Sequence, residues 1–599
     1  MNRKRTSSKL DPSHRGAIPR GEWLLVGLIV LVGFGFRVAF PSRIAVEHFD
    51  EAVYASNQFF PEEVGGRYPA RHLYAPPLLP KLIEWTTLFL GTSGPGPMAV
   101  NILAGSLTVA LCWWVGRRWF GATAGLVAAS LAALSDIHII YSRTALTDPL
   151  LCFWMLLSVY LIWEAYCRMK PVWVIAAGLS TAAAWWTKYN GWLPMAVGLS
   201  GLIPWFITHK VKPRAAGRYV LVWFAIAGLA FAAWSPVLYG LSDYGGYAAV
   251  QANHRGYLVD GVGEWFQSLL LQSANHGRLE SWPSYLSLVA VAVVIWKSPG
   301  QLPDAKRSKV FALVSAIWIA VVINWFVCIG GTSLMLGLLT CFGLCIQLRP
   351  NHQDECASVE SDNRQLAAWL LAAWFVGLTV ATPLYHPYPR LTLPWLVAAW
   401  LGMAGLFGGT MTLGGERSTL RALGGKGVLL GILSVLWILN AVYGVEPYVK
   451  LAPQQPVSGW RDRSGLQRIA KEIIADATHV TGGGGPDATD NFVVYVYAEP
   501  ALFYHVRAQG AAAAPVSDLS FAEPGARRLP VKTFFAMSPQ ELLDPDFRKS
   551  WKGVAHRFRS IDGYVFEPSE FVQLNQYSPA QLGRYNFARK KGVRLFELK

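Results

Sequence analysis

Charge is what this sequence has least of. Only 15% of its 599 residues are Asp, Glu, Lys or Arg, against about 25% in soluble domains. With 53% hydrophobic residues and a mean hydropathy of +0.30, that shortage excludes an ordinary soluble enzyme. Cysteine is also scarce: there are seven, an odd number without paired spacing. No CxxC pair and no disulfide framework is visible. Cys112, Cys152, Cys328, Cys341 and Cys345 lie in apolar runs, where a thiol packs as a small hydrophobe. TGGGGPD (481–487) lacks the Lys and Ser/Thr of a phosphate-binding loop. There is no solenoid-like repeat; ANHRG (252–256) and ANHGR (274–278) are the nearest thing to one.

What the chain has instead is long apolar runs. Runs near the spanning length of about 20 residues recur along most of it. They predict about thirteen transmembrane helices, at 22–41, 98–116, 119–135, 147–167, 171–188, 191–208, 219–238, 283–297, 309–329, 333–348, 366–382, 391–409 and 427–446. The basic N-terminus (1–21) precedes a run with no small-x-small cleavage site after it, so it reads as a cytoplasmic tail before an uncleaved first helix. With that end inside, about 23 Lys and Arg fall in inside loops and about nine in outside loops. This accounts for the net charge of +16 without nucleic acid. The expectation is a multi-pass protein of the plasma (inner) membrane, with its C-terminal domain outside.

The tail changes character. LQRIAKEIIADA has helical periodicity, NFVVYVY reads as a buried strand and PALFYHV as a helix; VKTFFAM and GYVFEP read as further strands. The predicted organisation is a transmembrane domain over 22–447 and a small extracytoplasmic α/β domain over 448–599.

With this topology the unusual polar residues fall on the outer face. Asp50 and Glu51 in HFDEAVYA follow the first span. Arg143 and Asp148 in YSRTALTDP start the fourth. Lys188 and Asn190 in WWTKYNGW lie between the fifth and sixth. His254, Arg255, His276 and Arg278 occupy the loop 239–282, and His386 and Arg390 in YHPYPRLTLP start the twelfth. Ionisable residues at membrane depth are costly and mark function by default. Carboxylates suit a general base or a metal, and Arg and Lys suit phosphate. Phosphate at an outer membrane surface, in a chain without a nucleotide motif, points to a lipid-linked phosphate. The chemistry implied is group transfer from it to a hydroxyl or amine.

At these residues the chain resembles the GT-C glycosyltransferases, which include protein O-mannosyltransferases, the aminoarabinose transferase acting on lipid A and the bacterial RgtA/B/C/D-like transferases. FDEAVYA after the first helix, YSRTALTDPLLCFWMLL, WWTKYNGWLP and RLTLP carry the resemblance, over about residues 22–410. It implies a mainly α, GT-C-type helical bundle and a polyprenyl-phosphate sugar donor. It makes Asp50 central as base or site organiser, Asp148 the second acidic position with Arg143 nearby, and Lys188 and Arg390 holders of the lipid phosphate. One departure stands out. Where aminoarabinose transferases carry an acid and a lysine before a Pro-Pro pair, this chain has Tyr74 and Ala75. Lys81 and His72 are the nearby residues that could substitute.

Each candidate also has a plainer reading. Asp50 could cap a helix. Glu51 could pair with a nearby Arg, since helical neighbours point about 100° apart. Asp148 before Pro149 is a good helix start, and Arg143 could pair with it. Lys188 and Arg390 could snorkel, and His254, Arg255 and His386 could belong to solvated loops. Whether a divalent metal takes part is left open, with His48, His72 and His386 as candidate ligands. The reading that joins these residues is a membrane glycosyltransferase, moving a hexose- or pentose-class sugar to a lipid, glycan or protein. The alternative is a transporter or flippase of polyprenyl-linked sugars. A receptor or scaffold would leave the clustered acids and bases unexplained.

Overall fold

The computed structural model describes residues 18–60, 66–279, 332–348, 359–407, 460–482, 488–525, 530–538, 544–576 and 590–599. The chain is mainly helical. In order come α1 (Arg20–Val38), α2 (Phe49–Ala55), α3 (Arg71–Tyr74), α4 (Leu78–Leu90), α5 (Ala99–Phe120), α6 (Ala122–Leu134), α7 (Asp136–Ser142), α8 (Thr147–Arg168), α9 (Pro171–Thr187), α10 (Leu193–His209), α11 (Pro213–Gly240), α12 (Gly246–Arg255) and α13 (Gly261–Leu279). Then follow α14 (Thr332–Gln347), α15 (Val359–Ala381) and α16 (Leu393–Ala404). Among the described residues six helices are long and apolar enough to cross a membrane, or seven if the bent pair α6 and α7 counts as one. This is a multi-pass membrane protein. Each expected span within the described residues meets a helix; those at 283–297, 309–329 and 427–446 lie outside them.

The helices differ in how far they are buried. α8 and α16 are largely buried, whereas α1 and α11 show most of their surface. The exposed side chains of α1 include Trp23, Leu24, Leu28 and Leu31, a face suited to lipid tails. α5 and α6 pack closely because a Cβ on Gly125 would meet the Trp113 carbonyl at 2.5 Å. α4, which periodicity did not single out, exposes Trp85, Leu88 and Phe89. At 13 residues it is only about 20 Å long, too short to span and suited to the membrane interface.

The first span also holds a buried charge. Arg37 is fully buried and donates to the carbonyls of Gly33 at 2.7 Å and Ala132 at 3.2 Å. It also contacts His138 Nδ1 at 2.7 Å and Ser142 Oγ at 3.3 Å. These acceptors meet the cost of a cation inside the bundle and lock α1 to the bent pair.

From residue 460 onward the chain builds a five-stranded sheet in the order β2-β1-β3-β5-β4. Its strands are β1 (Phe492–Tyr497), β2 (Ala512–Val516), β3 (Lys532–Met537), β4 (Phe558–Phe566) and β5 (Lys591–Leu598). β1 runs parallel to β2 and β3, and β5 runs antiparallel to β3 and β4. The helices are α17 (Gly465–Thr481), α18 (Pro500–Ala508), α19 (Pro545–Val554) and α20 (Glu570–Gln576). β1 is buried along nearly its whole length, as a central parallel strand should be. Each tail segment expected as helix or strand is one; most of TGGGGPD lies outside the described residues.

This unit docks on the segment after α1. The Tyr504 hydroxyl donates to the Thr92 carbonyl at 2.6 Å, and His505 Nε2 donates to the Val46 carbonyl at 2.8 Å. Phe503 packs against Phe60 and Tyr68, with ring centroids 5.6 and 5.8 Å away.

Candidate active site

α2 is short, so its start must be held chemically. His48 caps it: Nδ1 accepts from the Asp50 N–H at 3.0 Å, while Glu51 Oε2 accepts from the His48 N–H at 2.9 Å. This reciprocal arrangement satisfies amides that a first turn leaves unpaired. It also places two carboxylates where the helix dipole favours negative charge.

The two acids then part. Asp50 keeps some exposure and pairs with Arg390, Oδ2 to Nη1 at 2.8 Å, each side chain 14% exposed. Burial pushes the Asp50 carboxyl up, but Arg390 and then His48 outweigh it and hold it below the usual carboxylate range. Glu51 turns inward and is fully buried. Its Oε2 also accepts from the Glu47 N–H at 3.2 Å and from Arg463 Nη2, and its Oε1 accepts from the Ala145 N–H at 2.9 Å.

A second acid–base pair stands beside the first. Asp148, at the start of α8, is bonded through Oδ1 to Lys188 Nζ at 2.5 Å. Asn101 fixes the approach to α8 by donating to the carbonyls of Thr144 and Leu146, both at 2.6 Å. Lys188 lies just past the end of α9, on extended backbone, which carries it away from the helix toward Asp148. The Lys188 charge acts on Asp50, so the two pairs form one electrostatic cluster.

Aromatic and imidazole groups line this cluster. Tyr74 lies against Phe49, the ring centroids 5.7 Å apart, and the Arg390 guanidinium sits 5.2 Å from the Tyr388 ring centre. His254 Nδ1 is 2.9 Å from the Tyr385 hydroxyl, and burial, then Lys188, pushes its imidazole down. His386 lies 4.6 Å from Tyr388, centroid to centroid, and burial lowers it to about 4.

The structure thus brings together Asp50, Arg390, Asp148 and Lys188, with His254 close by. It places Arg143 elsewhere: Nη1 donates to the carbonyls of Phe36 at 3.2 Å and Ala39 at 2.5 Å, and the guanidinium lies 4.8 Å from the Trp460 ring centre. Arg255 is exposed at the end of α12. Ala75 is fully buried, and Lys81, exposed on α4, pairs with Glu84 at 2.8 Å. Among those residues no three His, Cys, Asp or Glu come together as a metal group. Of the three histidine candidates, His48 spends both ring nitrogens on hydrogen bonds, and His72 lies against Tyr244.

Sequence reasoning passed over Glu47, Tyr141, Arg463 and Asn575, all of which contact the surroundings of α2. The available signal was Glu47 itself, a third acid immediately before HFDE. Arg463 lies in WRDRSG, more than 400 residues away, and no local pattern links the two.

Residues 90–240 match the family model described as dolichyl-phosphate-mannose-protein mannosyltransferase. That stretch contains Arg143, Asp148 and Lys188, and it bears out the GT-C resemblance carried by the motifs. Over 113 residues the chain is 29% identical to "Putative mannosyltransferase YkcB" of Bacillus subtilis (strain 168), a match spanning 19% of this chain and 16% of that one. Among solved structures, ArnT from Cupriavidus metallidurans bound to undecaprenyl phosphate aligns with 15% identity and TM-score 0.43, over 96% of this chain and 98% of that one. The apo Archaeoglobus fulgidus oligosaccharyltransferase aligns with 13% identity and TM-score 0.45, over 87% and 70%.

Proposed function

We propose that this chain is an integral-membrane glycosyltransferase. It takes a hexose- or pentose-class sugar from a polyprenyl-phosphate donor and passes it to a lipid, glycan or protein acceptor at the outer face of the plasma membrane. One observation carries the reading: Arg390 spends Nη1 on Asp50, while its buried Nε finds no acceptor among the described residues. A buried unmet donor is costly, and a phosphate oxygen would satisfy it with a charge-assisted bond. Lys188, with one contact to Asp148 and 19% exposure, is the second cation available to the same phosphate.

The geometry then suggests how the acid is switched on. With no donor bound, Arg390 holds Asp50 as a weak base. A donor phosphate draws Arg390 toward itself and leaves Asp50 more basic. Asp50 accepts the acceptor hydroxyl's proton as that oxygen bonds to the sugar's anomeric carbon. The bond from that carbon to the phosphate oxygen breaks, and polyprenyl phosphate leaves with the electron pair. Arg390 and Lys188 stabilise the charge that develops on it, and Asp148 keeps Lys188 in place.

The test is turnover by purified full-length protein in detergent. Undecaprenyl-phosphate mannose and an undecaprenyl-phosphate pentose, each labelled in the sugar, are supplied with a membrane extract as acceptor pool. The expected result is covalent transfer of label from one donor, reduced on the order of 100-fold or more in Asp50→Asn. Donors recovered intact in detergent but moved across vesicle membranes would make the chain a flippase. Full turnover by a folded Asp50→Asn protein would remove Asp50 from the mechanism.

A further inference from the structure

The helix that carries Asp50 is held from the far end of the chain. His48 Nδ1 accepts from the Asp50 N–H, while Nε2 donates to the main-chain carbonyl of Asn575 at 3.0 Å. These two bonds require one neutral tautomer, and burial, which pushes the His48 imidazole down, favours it. Asn575 is itself fixed. Its Oδ1 accepts from the Tyr141 hydroxyl at 2.8 Å, and its Nδ2 donates to the Phe571 carbonyl at 2.8 Å.

Arg463 makes a second connection. Nη2 donates to Glu51, Nε lies 3.5 Å from Glu47, and Nη1 donates to the Arg143 carbonyl at 3.1 Å. Its own N–H donates to the Arg43 carbonyl at 3.1 Å, and its side chain is 5% exposed. Glu51 in turn holds the Ala145 N–H, three residues before Asp148. One guanidinium therefore joins the helix bearing Asp50 to the segment leading to Asp148. A domain that was only tethered could make its polar contacts anywhere on the outer face. Here the contacts at Thr92 and Asp136 lie apart, but a dense group of them falls on Val46, Glu47, His48 and Glu51 and on the Arg143 carbonyl, next to both acids.

We propose that Arg463 is a positioning residue for sugar transfer, and that the C-terminal domain completes the active site by setting Asp50 and Asp148 relative to one another. This rests on the transferase reading above. Lysine at 463 keeps the charge beside Glu51 but loses the fork that reaches Glu47, Glu51 and the Arg143 carbonyl together. In the full-length protein, with undecaprenyl-phosphate mannose or the pentose donor that wild type uses, Arg463→Lys should lower kcat about tenfold or more. KM for the donor should stay within about twofold, because small displacements of reacting groups cost rate more than affinity. Deuterium exchange should rise over residues 46–55 and 143–150. Arg463→Gln should exceed Arg463→Lys in both readouts, and Arg461→Gln, a change at a side chain 56% exposed, should alter neither. Tyr141→Phe removes one hydroxyl that holds Asn575. It gives a gentler second variant, with kcat down about threefold, should the charged-site variants not fold. Unchanged kcat in folded Arg463→Lys and Tyr141→Phe proteins, alongside an active wild type, overturns this inference alone. A wild type that transfers neither sugar overturns the transferase reading and this one with it.

Discussion

Asp50 and Glu51 are neighbours in sequence and opposites in surroundings. Asp50 meets one arginine, and both partners keep some contact with solvent. Glu51 has no contact with solvent and accepts from three backbone amides and Arg463. The first carboxylate is held by one partner that a ligand could take away; the second is held from four sides. A residue doing chemistry must be free to change partners, and a residue fixing geometry must not. The one-residue step along a helix, about 100°, is what lets a single short element keep one acid partly exposed and bury the other.

The largest effect should come from breaking the inward side. Glu51→Ala leaves the buried Arg463 guanidinium with Glu47, 3.5 Å from Nε, as its ion-pair partner among the described residues, and frees three amides. Removing one member of a buried ion pair costs about 3–5 kcal/mol. The full-length protein should lose its cooperative thermal transition or show a sharply lowered midpoint, whereas Asp50→Asn should keep a midpoint near wild type. Equal midpoints for the two variants would erase the distinction drawn between these acids.

A smaller effect should come from sharpening the outward side. Arg390→Lys keeps a cation beside Asp50 but loses the planar fork and the unmet Nε. KM for whichever undecaprenyl-phosphate sugar is used should rise about tenfold, with the thermal midpoint little changed. If KM stays put and only kcat falls, Arg390 serves Asp50 and does not hold the donor phosphate.

This contrast also separates what the sequence made legible from what it did not. Long apolar runs announce spans because the requirement for about 20 residues is local. The helices and strands of the tail were legible for the same reason: their periodicity lies within a few residues. The acids and bases between the spans were legible as clusters, because charge in an apolar chain is conspicuous. Their pairing was not. Asp50 meets Arg390 across 340 positions and Glu51 meets Arg463 across 412, distances over which no periodicity operates. Arg143 looked like a partner for Asp148 because it is five residues away, yet it turns to the carbonyls at the end of α1. Asn575 acts through its main-chain carbonyl, which no side-chain pattern could have marked.

The smallest effect is a pH dependence confined to the domain contact. His505 on α18 is 3% exposed, and burial lowers its imidazole from 6.5 to about 4. In the folded protein the ring therefore stays neutral where the unfolded chain has already taken up a proton. Its contribution to stability is complete above pH 6.5, erodes as pH falls toward 4, and levels off below that. His48 moves in the same direction through burial. Glu47 opposes both, because burial raises its carboxyl despite Arg463, so acid relieves its cost. The clean comparison is therefore a single variant across pH. Glutamine at 505 can still donate to the Val46 carbonyl but cannot titrate. Wild-type protection of the α2 amides from deuterium exchange should weaken modestly between pH 6.5 and 4, because Glu47 offsets part of the loss. In His505→Gln that slope should flatten, while protection at pH 7 stays close to wild type. An unaltered slope would mean that acid loosens this contact through His48. It would then be the cap of α2, rather than α18, that sets how firmly the helix bearing Asp50 is held.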